Sequence, residues 1–144
     1  AGFALGGLVY TASVTRLLPW LGVRGLMIGG GALMALQLVV LGLGLPWQAQ
    51  MASFVVMGLG FYMLHGCMQV FASELAVEAR ATSLSLHSCF FFLGQTAGPI
   101  AYGFGIAHIG KMPTLIVCGV IVTLVGIIGA KLLVTKAAEQ RPAA

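Results

Sequence analysis

Polar side chains that could bind a small molecule or carry a proton occur inside two of the long apolar runs of this chain. Tyr62, His65 and Gln69 follow one another at spacings of three and four residues, which places them on one face of a helix. Polar groups within a membrane helix usually face protein or water, and a histidine titrates near physiological pH. We therefore expect this face to line a cavity, with His65 as its leading candidate.

A second polar stripe lies in the next apolar run. It consists of His87, Ser88 and Gln95. His87 is near the end of its run, so an interfacial position is an alternative to a cavity position. For Gln69, Ser88 and Gln95, the alternative is a hydrogen bond across helices, worth about 1 kcal/mol each.

The elements that carry these residues are predicted to be membrane helices. The chain is 60% hydrophobic and 7% charged, it contains no Asp, and its mean hydropathy is +1.06. Because a bilayer takes roughly 20 residues of helix, the composition and the run lengths predict an all-α, multi-pass membrane protein. The runs long enough to span are residues 25–44, 48–73, 81–107 and 113–134. A shorter run at residues 1–14 resembles a helix cut in mid-membrane, so we expect about five spans, the first truncated, in a fragment of a larger protein.

Basic residues indicate the orientation of these spans. Arg16, Arg24 and Arg80 lie in every second gap between the runs, and Lys136 and Arg141 lie in the C-terminal tail. Lys131 lies inside the last run but near its tail end, so six of the seven Lys and Arg are on one side and Lys111 is the exception. Since basic residues favour the cytoplasmic side, we expect the gap at Arg16 and Arg24, the gap at Arg80 and the C-terminus to face the cytosol of a cell membrane. No basic patch with interleaved aromatic residues is present, which argues against nucleic-acid binding.

The cysteines give no sign of a metal or cofactor site. Cys67, Cys89 and Cys118 lie inside predicted helices without the spacing of a metal site or a redox motif. We interpret them as packed thiols, and we expect no metal and no cofactor.

Glycine spacing predicts close helix packing and one hinge. Small residues four apart let helix backbones approach, and this spacing occurs at Gly2 and Gly6, Gly25 and Gly29, and Gly94 and Gly98. In the last case Pro99 follows, and Gly103 comes five residues after Gly98. A proline within a helix removes a hydrogen bond, so this stretch is predicted to bend or rock.

Residues 61–103 resemble the tenth helix, the following cytosolic loop and the eleventh helix of major facilitator superfamily transporters, most closely the bacterial drug and sugar efflux type. Arg16, Gly22 and Arg24 are similar to the basic loop between the eighth and ninth helices of that family. This loop lacks the acidic residue of the family's full signature.

The resemblance implies that residues 1–135 correspond to helices eight to twelve of a twelve-helix carrier, and that residues 136–144 form a disordered cytosolic tail. It implies transport of a small molecule by alternating access, with no enzymatic activity and with the missing N-terminal half as a partner. No Asp or Glu lies inside a predicted helix. If protons are the coupling ion, their carboxylates therefore lie in the absent half, or His65 or His87 substitutes.

Three further interpretations stay open at this stage. Glu74 and Arg80 could form an ion pair that latches the cytosolic side, or simply a solvated loop. His65 and His87 could ligate a haem in a membrane redox protein. The chain could also be a small membrane protein that works as an oligomer.

Overall fold

The computed structural model describes residues 2–74 and 77–139, and these residues are all-helical, with no strand among them. The element order is α1 (Gly2–Gly42), α2 (Trp47–Glu74), a short 3₁₀ helix (Val77–Ala79), α3 (Arg80–Ile109) and α4 (Lys111–Glu139). The connections are short: Gly110 alone separates α3 from α4, and residues 43–46 separate α1 from α2.

Helix α1 reverses direction at Gly22, whose φ of 65° and ψ of 171° are non-helical. Gly6 packs on Gly58 and Gly30 packs on Gly60, so two points of α1 that are 24 residues apart in sequence meet neighbouring turns of α2. A straight helix would hold those points about 36 Å apart. Residues 2–21 and 23–42 are therefore two antiparallel segments, here named the first and second segments of α1.

The second segment of α1 lies between α2 and α4. Gly30 meets Gly60 on one side, and Gly31 meets Val122 and Thr123 on the other. Both neighbours run antiparallel to this segment, and α2 and α4 scarcely touch each other. The buried core forms along the second segment of α1, and its members are Leu26, Met27, Met34, Met63, Leu64, Cys67 and Ala130.

Glycines allow these helices to approach closely, as the spacing predicted for Gly2 and Gly6. A Cβ on Gly30 would lie 2.6 Å from the carbonyl oxygen of Gly60, and a Cβ on Gly2 would lie 2.5 Å from that of Met51. Because real Cβ atoms do not come so near a backbone oxygen, larger residues at these positions would force the helices apart. Gly29, by contrast, makes only ordinary contact with Met63.

Three helices among the described residues are long and apolar enough to cross a membrane, where the sequence analysis expected five spans. They are Gly2–Gly42, Trp47–Glu74 and Lys111–Thr135. Two features account for the difference. The predicted gap around Arg16 and Arg24 is helical apart from Gly22, so the first two predicted runs belong to one α1. Helix α3 is long enough, but its serines, threonines, histidines and Gln95 lower its hydropathy.

The last helix extends beyond the last predicted apolar run. Helix α4 continues to Glu139, four residues into the stretch predicted to be a disordered tail. The remainder of that predicted tail, residues 140–144, lies outside the described residues.

Candidate functional site

Helices α2 and α3 meet through a cluster of four rings: Phe61, His65, His87 and Phe91. On each helix the two rings are four residues apart and therefore share one face. The His65 ring stacks on Phe61 at a centroid distance of 4.9 Å, and lies 4.6 Å from Phe91 and 5.4 Å from His87. The structure thus brings together the two histidines that the sequence placed on separate stripes.

The ring cluster leaves one polar atom without a partner. Nε2 of His87 is buried and has no hydrogen-bond partner, although His87 as a whole is only half-buried. An unpaired polar atom in an apolar setting costs free energy. Among the candidate site residues, His87 is therefore the one whose buried ring nitrogen most clearly needs a hydrogen-bond partner, either another polar group or a water molecule.

The same geometry does not fit a haem. Axial ligation requires the porphyrin plane to stand between two imidazoles, but His65 and His87 pack directly against each other and against Phe91. Among the described residues, no group of three His, Cys, Asp or Glu could hold a metal ion. The ring cluster is therefore an aromatic contact between helices rather than a ligand set.

The other predicted cavity residues lie at different distances from the cluster. Tyr62 is 36% exposed and lies 5.4 Å from Phe61, ring to ring. Gln69, one turn beyond His65, is exposed, as is Gln95, two turns beyond His87, while Ser88 is half-buried. Tyr62 and His65 both contact Phe61, but Gln95 stands apart on a part of α3 that packs against little.

The middle of α3 is the least covered part of the described chain. No residue of α3 is buried, and a Cβ added to Gly94, Gly98 or Gly103 would meet nothing within 4 Å. Helix α3 approaches α2 through the ring cluster and α4 near its other end, where Gly105 packs on Thr114. It runs without a non-helical residue through Pro99, so the hinge at Gly94, Gly98, Pro99 and Gly103 stays a prediction.

The predicted gate residues gather at one end of the bundle. Leu18, Val23, Glu74 and Val134 line one common cavity there, which fixes the ends of both α1 segments, α2 and α4 at the same level. Arg16 and Arg24 flank Gly22 at this end, and Arg80 begins α3. All three arginines and Glu74 are exposed.

Two features escaped the sequence analysis. The first is a buried polar contact in which Gln37, 3% exposed, donates from Nε2 to Ser53 Oγ at 2.5 Å, and Ser53 in turn donates to the Gln50 carbonyl oxygen. A glutamine in an otherwise apolar run was the available signal. The second is the cavity at the charged end, which has no sequence signal because its walls come from four separate helical segments.

Comparison with protein-family models, with curated proteins and with solved structures found no match for this chain.

Proposed function

We propose that this chain is part of a small-molecule carrier in a cell membrane, corresponding to the C-terminal part of a transporter of the major facilitator type. In this proposal the carrier works by alternating access, exports its substrate and is coupled to protons. Both segments of α1, together with α2, α3 and α4, cross the bilayer. The charged end faces the cytosol because it carries most of the basic residues.

The observation that carries the proposal is the uncovered face of α3. This helix joins the bundle at its ends and leaves Gln95 and three glycines exposed at its middle. Exposed amides and thinly shielded backbone are unfavourable against lipid, and irregular or polar stretches persist in membranes where they face protein or a water-filled cavity. In a carrier, this face would line the substrate pathway and be covered in part by the other half of the same protein.

The histidines support the same assignment. His65 and His87 are next to the uncovered face, and the Nε2 atom of His87 lacks a partner. Because an imidazole can both donate and accept a proton through its ring nitrogens, this pair could take part in coupling alongside carboxylates outside this chain.

Thiol accessibility tests which environment the α3 face meets. In a Cys67→Ser, Cys89→Ser, Cys118→Ser background, Gly98→Cys should react with a membrane-impermeant maleimide in membranes. Ile128→Cys on the exposed outer face of α4 is the control and should not react. Equal protection of both positions would show that α3 faces lipid, against the proposal. Efficient disulfide formation between copies at Gly98→Cys would favour an oligomer of this chain instead.

Transport assays test the polar residues directly. In the intact carrier, His65→Ala and Gln69→Ala should each lower substrate-driven proton flux into proteoliposomes at least tenfold, with membrane insertion unchanged. His108→Ala is the matched control, because its ring stacks on Phe104 at 3.9 Å, away from the ring cluster. Unchanged flux in both test variants would remove these residues from the pathway, and a Soret band in purified protein would contradict the carrier assignment.

A further inference from the structure

A cavity of about 620 Å³ opens at the charged end of the bundle. Its walls come from both segments of α1, from α2 and from the end of α4, and they are mainly apolar, with Leu18 and Phe71 among them. It extends from Glu74 to Cys67, two helical turns or about 10 Å along α2. The volume lies within the range of small-molecule sites, about 300–1,000 Å³.

Two glycines account for the space. Gly22 turns α1 back on itself between Leu18 and Val23, so the two segments diverge from this point around the cavity. Gly66 faces Tyr10, and a Cβ at Gly66 would already lie 3.6 Å from the Tyr10 hydroxyl oxygen. Any longer side chain at this position would therefore occupy the cavity.

The cavity is separate from the proposed transport surface. At 100° per residue, Cys67, Phe71 and Glu74 lie on the side of α2 opposite His65. A ligand here would therefore meet α1 and α4 rather than the ring cluster with α3.

One charged residue lines the cavity, and it is acidic. Glu74 is the only Asp, Glu, Lys or Arg among the described residues that form its walls. Arg16 and Arg24 are at the same end but are not part of the lining. The polar groups deeper inside are the Tyr10 hydroxyl and the Cys67 thiol. Neither group carries a positive charge, so neither repels a cation.

We propose that this cavity binds an amphipathic ammonium compound, with its cationic head at Glu74 and its apolar part between Phe71, Leu18 and Cys67. The exposed Glu74 carboxylate at the mouth of the cavity attracts an ammonium group, and the apolar walls bind the attached hydrocarbon. The ligand could be a soluble lipophilic amine or the headgroup region of an aminophospholipid, because both present this chemistry. The inference does not depend on the transport proposal.

Charged thiol reagents can measure the field inside the cavity through Cys67. In a Cys89→Ser, Cys118→Ser protein in nanodiscs, a cationic methanethiosulfonate should modify Cys67 faster than an anionic one of similar size. The ratio should be on the order of tenfold, as expected for unit charges about 10 Å apart at intermediate polarity. Rates are normalised to a protein that retains only Cys89, which is exposed on α3.

Glu74→Gln should bring this ratio close to one, whereas the matched control Glu78→Gln should leave it unchanged, because Glu78 does not line the cavity. An equal ratio in Glu74→Gln and in the parent protein would overturn the proposal. So would a Cys67 that reacts with neither reagent, because the cavity would then be closed to ligands.

Protection of Cys67 identifies the ligand class and its source. In nanodiscs of phosphatidylglycerol alone, decyltrimethylammonium should slow modification of Cys67 at least fivefold, and Glu74→Gln should abolish the effect. Neutral decyl maltoside is the control for the apolar chain. If phosphatidylethanolamine added to the nanodiscs protects Cys67 in the same Glu74-dependent way, the source includes the lipid; if it does not, the ligand is a soluble amine. Equal protection by decyl maltoside, or protection that survives Glu74→Gln, would overturn the proposal.

Discussion

Two pairs of glycines with the same spacing have opposite surroundings in this molecule. Gly2 and Gly6 lie against the backbone of α2, where a Cβ on either would collide with a carbonyl oxygen, whereas Gly94 and Gly98 face open space on α3. Glycines four residues apart therefore permit a neighbouring helix to approach closely, but the spacing does not show which helix, if any, is the neighbour. In the first pair the partner is within the chain, and in the second we propose that it is another part of the carrier.

The largest expected effect is from bulk added to the covered pair. Gly6→Leu should lower the free energy of unfolding by about 3 kcal/mol or more, because the side chain has to push α1 away from Val55 and Gly58. Unfolding in mixtures of dodecyl sulfate and neutral detergent, followed by circular dichroism, measures this change. Ala4→Leu on the exposed side of the same turn is the control and should be close to neutral. Similar losses in both variants would show that the α1–α2 contact is not specific to Gly6.

A smaller loss in the free energy of unfolding is expected where a glycine is needed for its backbone conformation rather than for close packing. Gly22→Ala should cost about 1–3 kcal/mol, because φ is 65° there and L-residues seldom adopt this conformation. Nothing lies within 4 Å of the added Cβ, so no steric clash contributes. The same detergent titration checks it, with Gly94→Ala as the helical control that should be neutral or slightly stabilising. A neutral Gly22→Ala would contradict the reversal at this residue.

The buried polar contact on the covered side should contribute less. A double-mutant cycle of Gln37→Leu and Ser53→Ala should give a coupling free energy of about 0.6 kcal/mol, the usual size of a hydrogen bond between membrane helices. Thr123→Val is the comparison, since the Thr123 hydroxyl donates to the Gly119 carbonyl oxygen of its own helix. Paired with Gln37→Leu, it should show no coupling.

The smallest effect is expected on the uncovered face. Gly98→Leu should change the free energy of unfolding of this chain by no more than about 0.5 kcal/mol, because the side chain enters open space. In the intact carrier the same substitution should reduce transport strongly, since the face is then against a partner or the substrate pathway. A large loss of stability in the chain alone would show that the middle of α3 is covered after all.

Particular residues show how far sequence reasoning reached. Long apolar runs predicted an all-helical chain, and the structure confirms this for the described residues. The physical reason is that backbone groups in an apolar setting are best satisfied by the hydrogen bonds within helices. The predicted number of spans was wrong: about five were expected, and three helices among the described residues are long and apolar enough to cross a membrane. The division of α1 into two segments between Arg16 and Arg24 depends on the backbone conformation of Gly22. The pattern of charges along the sequence does not determine that conformation.

For the site residues too, the sequence predicted the local arrangement but not the contacts between helices. Helical spacing placed Tyr62, His65 and Gln69 on one face, because periodicity is a local property. It could not show that Phe61 and Phe91 enclose His65, or that His65 meets His87, since those contacts join residues from different helices. The roles proposed for these residues in transport stay predictions.

By itself, the sequence determined the chemistry that each helix carries: apolar surface, small residues at helical spacing, and charges confined to the ends of the apolar runs and the gaps between them. These follow from composition and period, which every segment carries locally. Only the tertiary structure decided which glycine faces are filled, that Gln37 is buried against Ser53, and that four helical segments leave a cavity beside Glu74. Such features depend on distances between residues far apart in sequence, and those distances are set by the packing of the whole bundle.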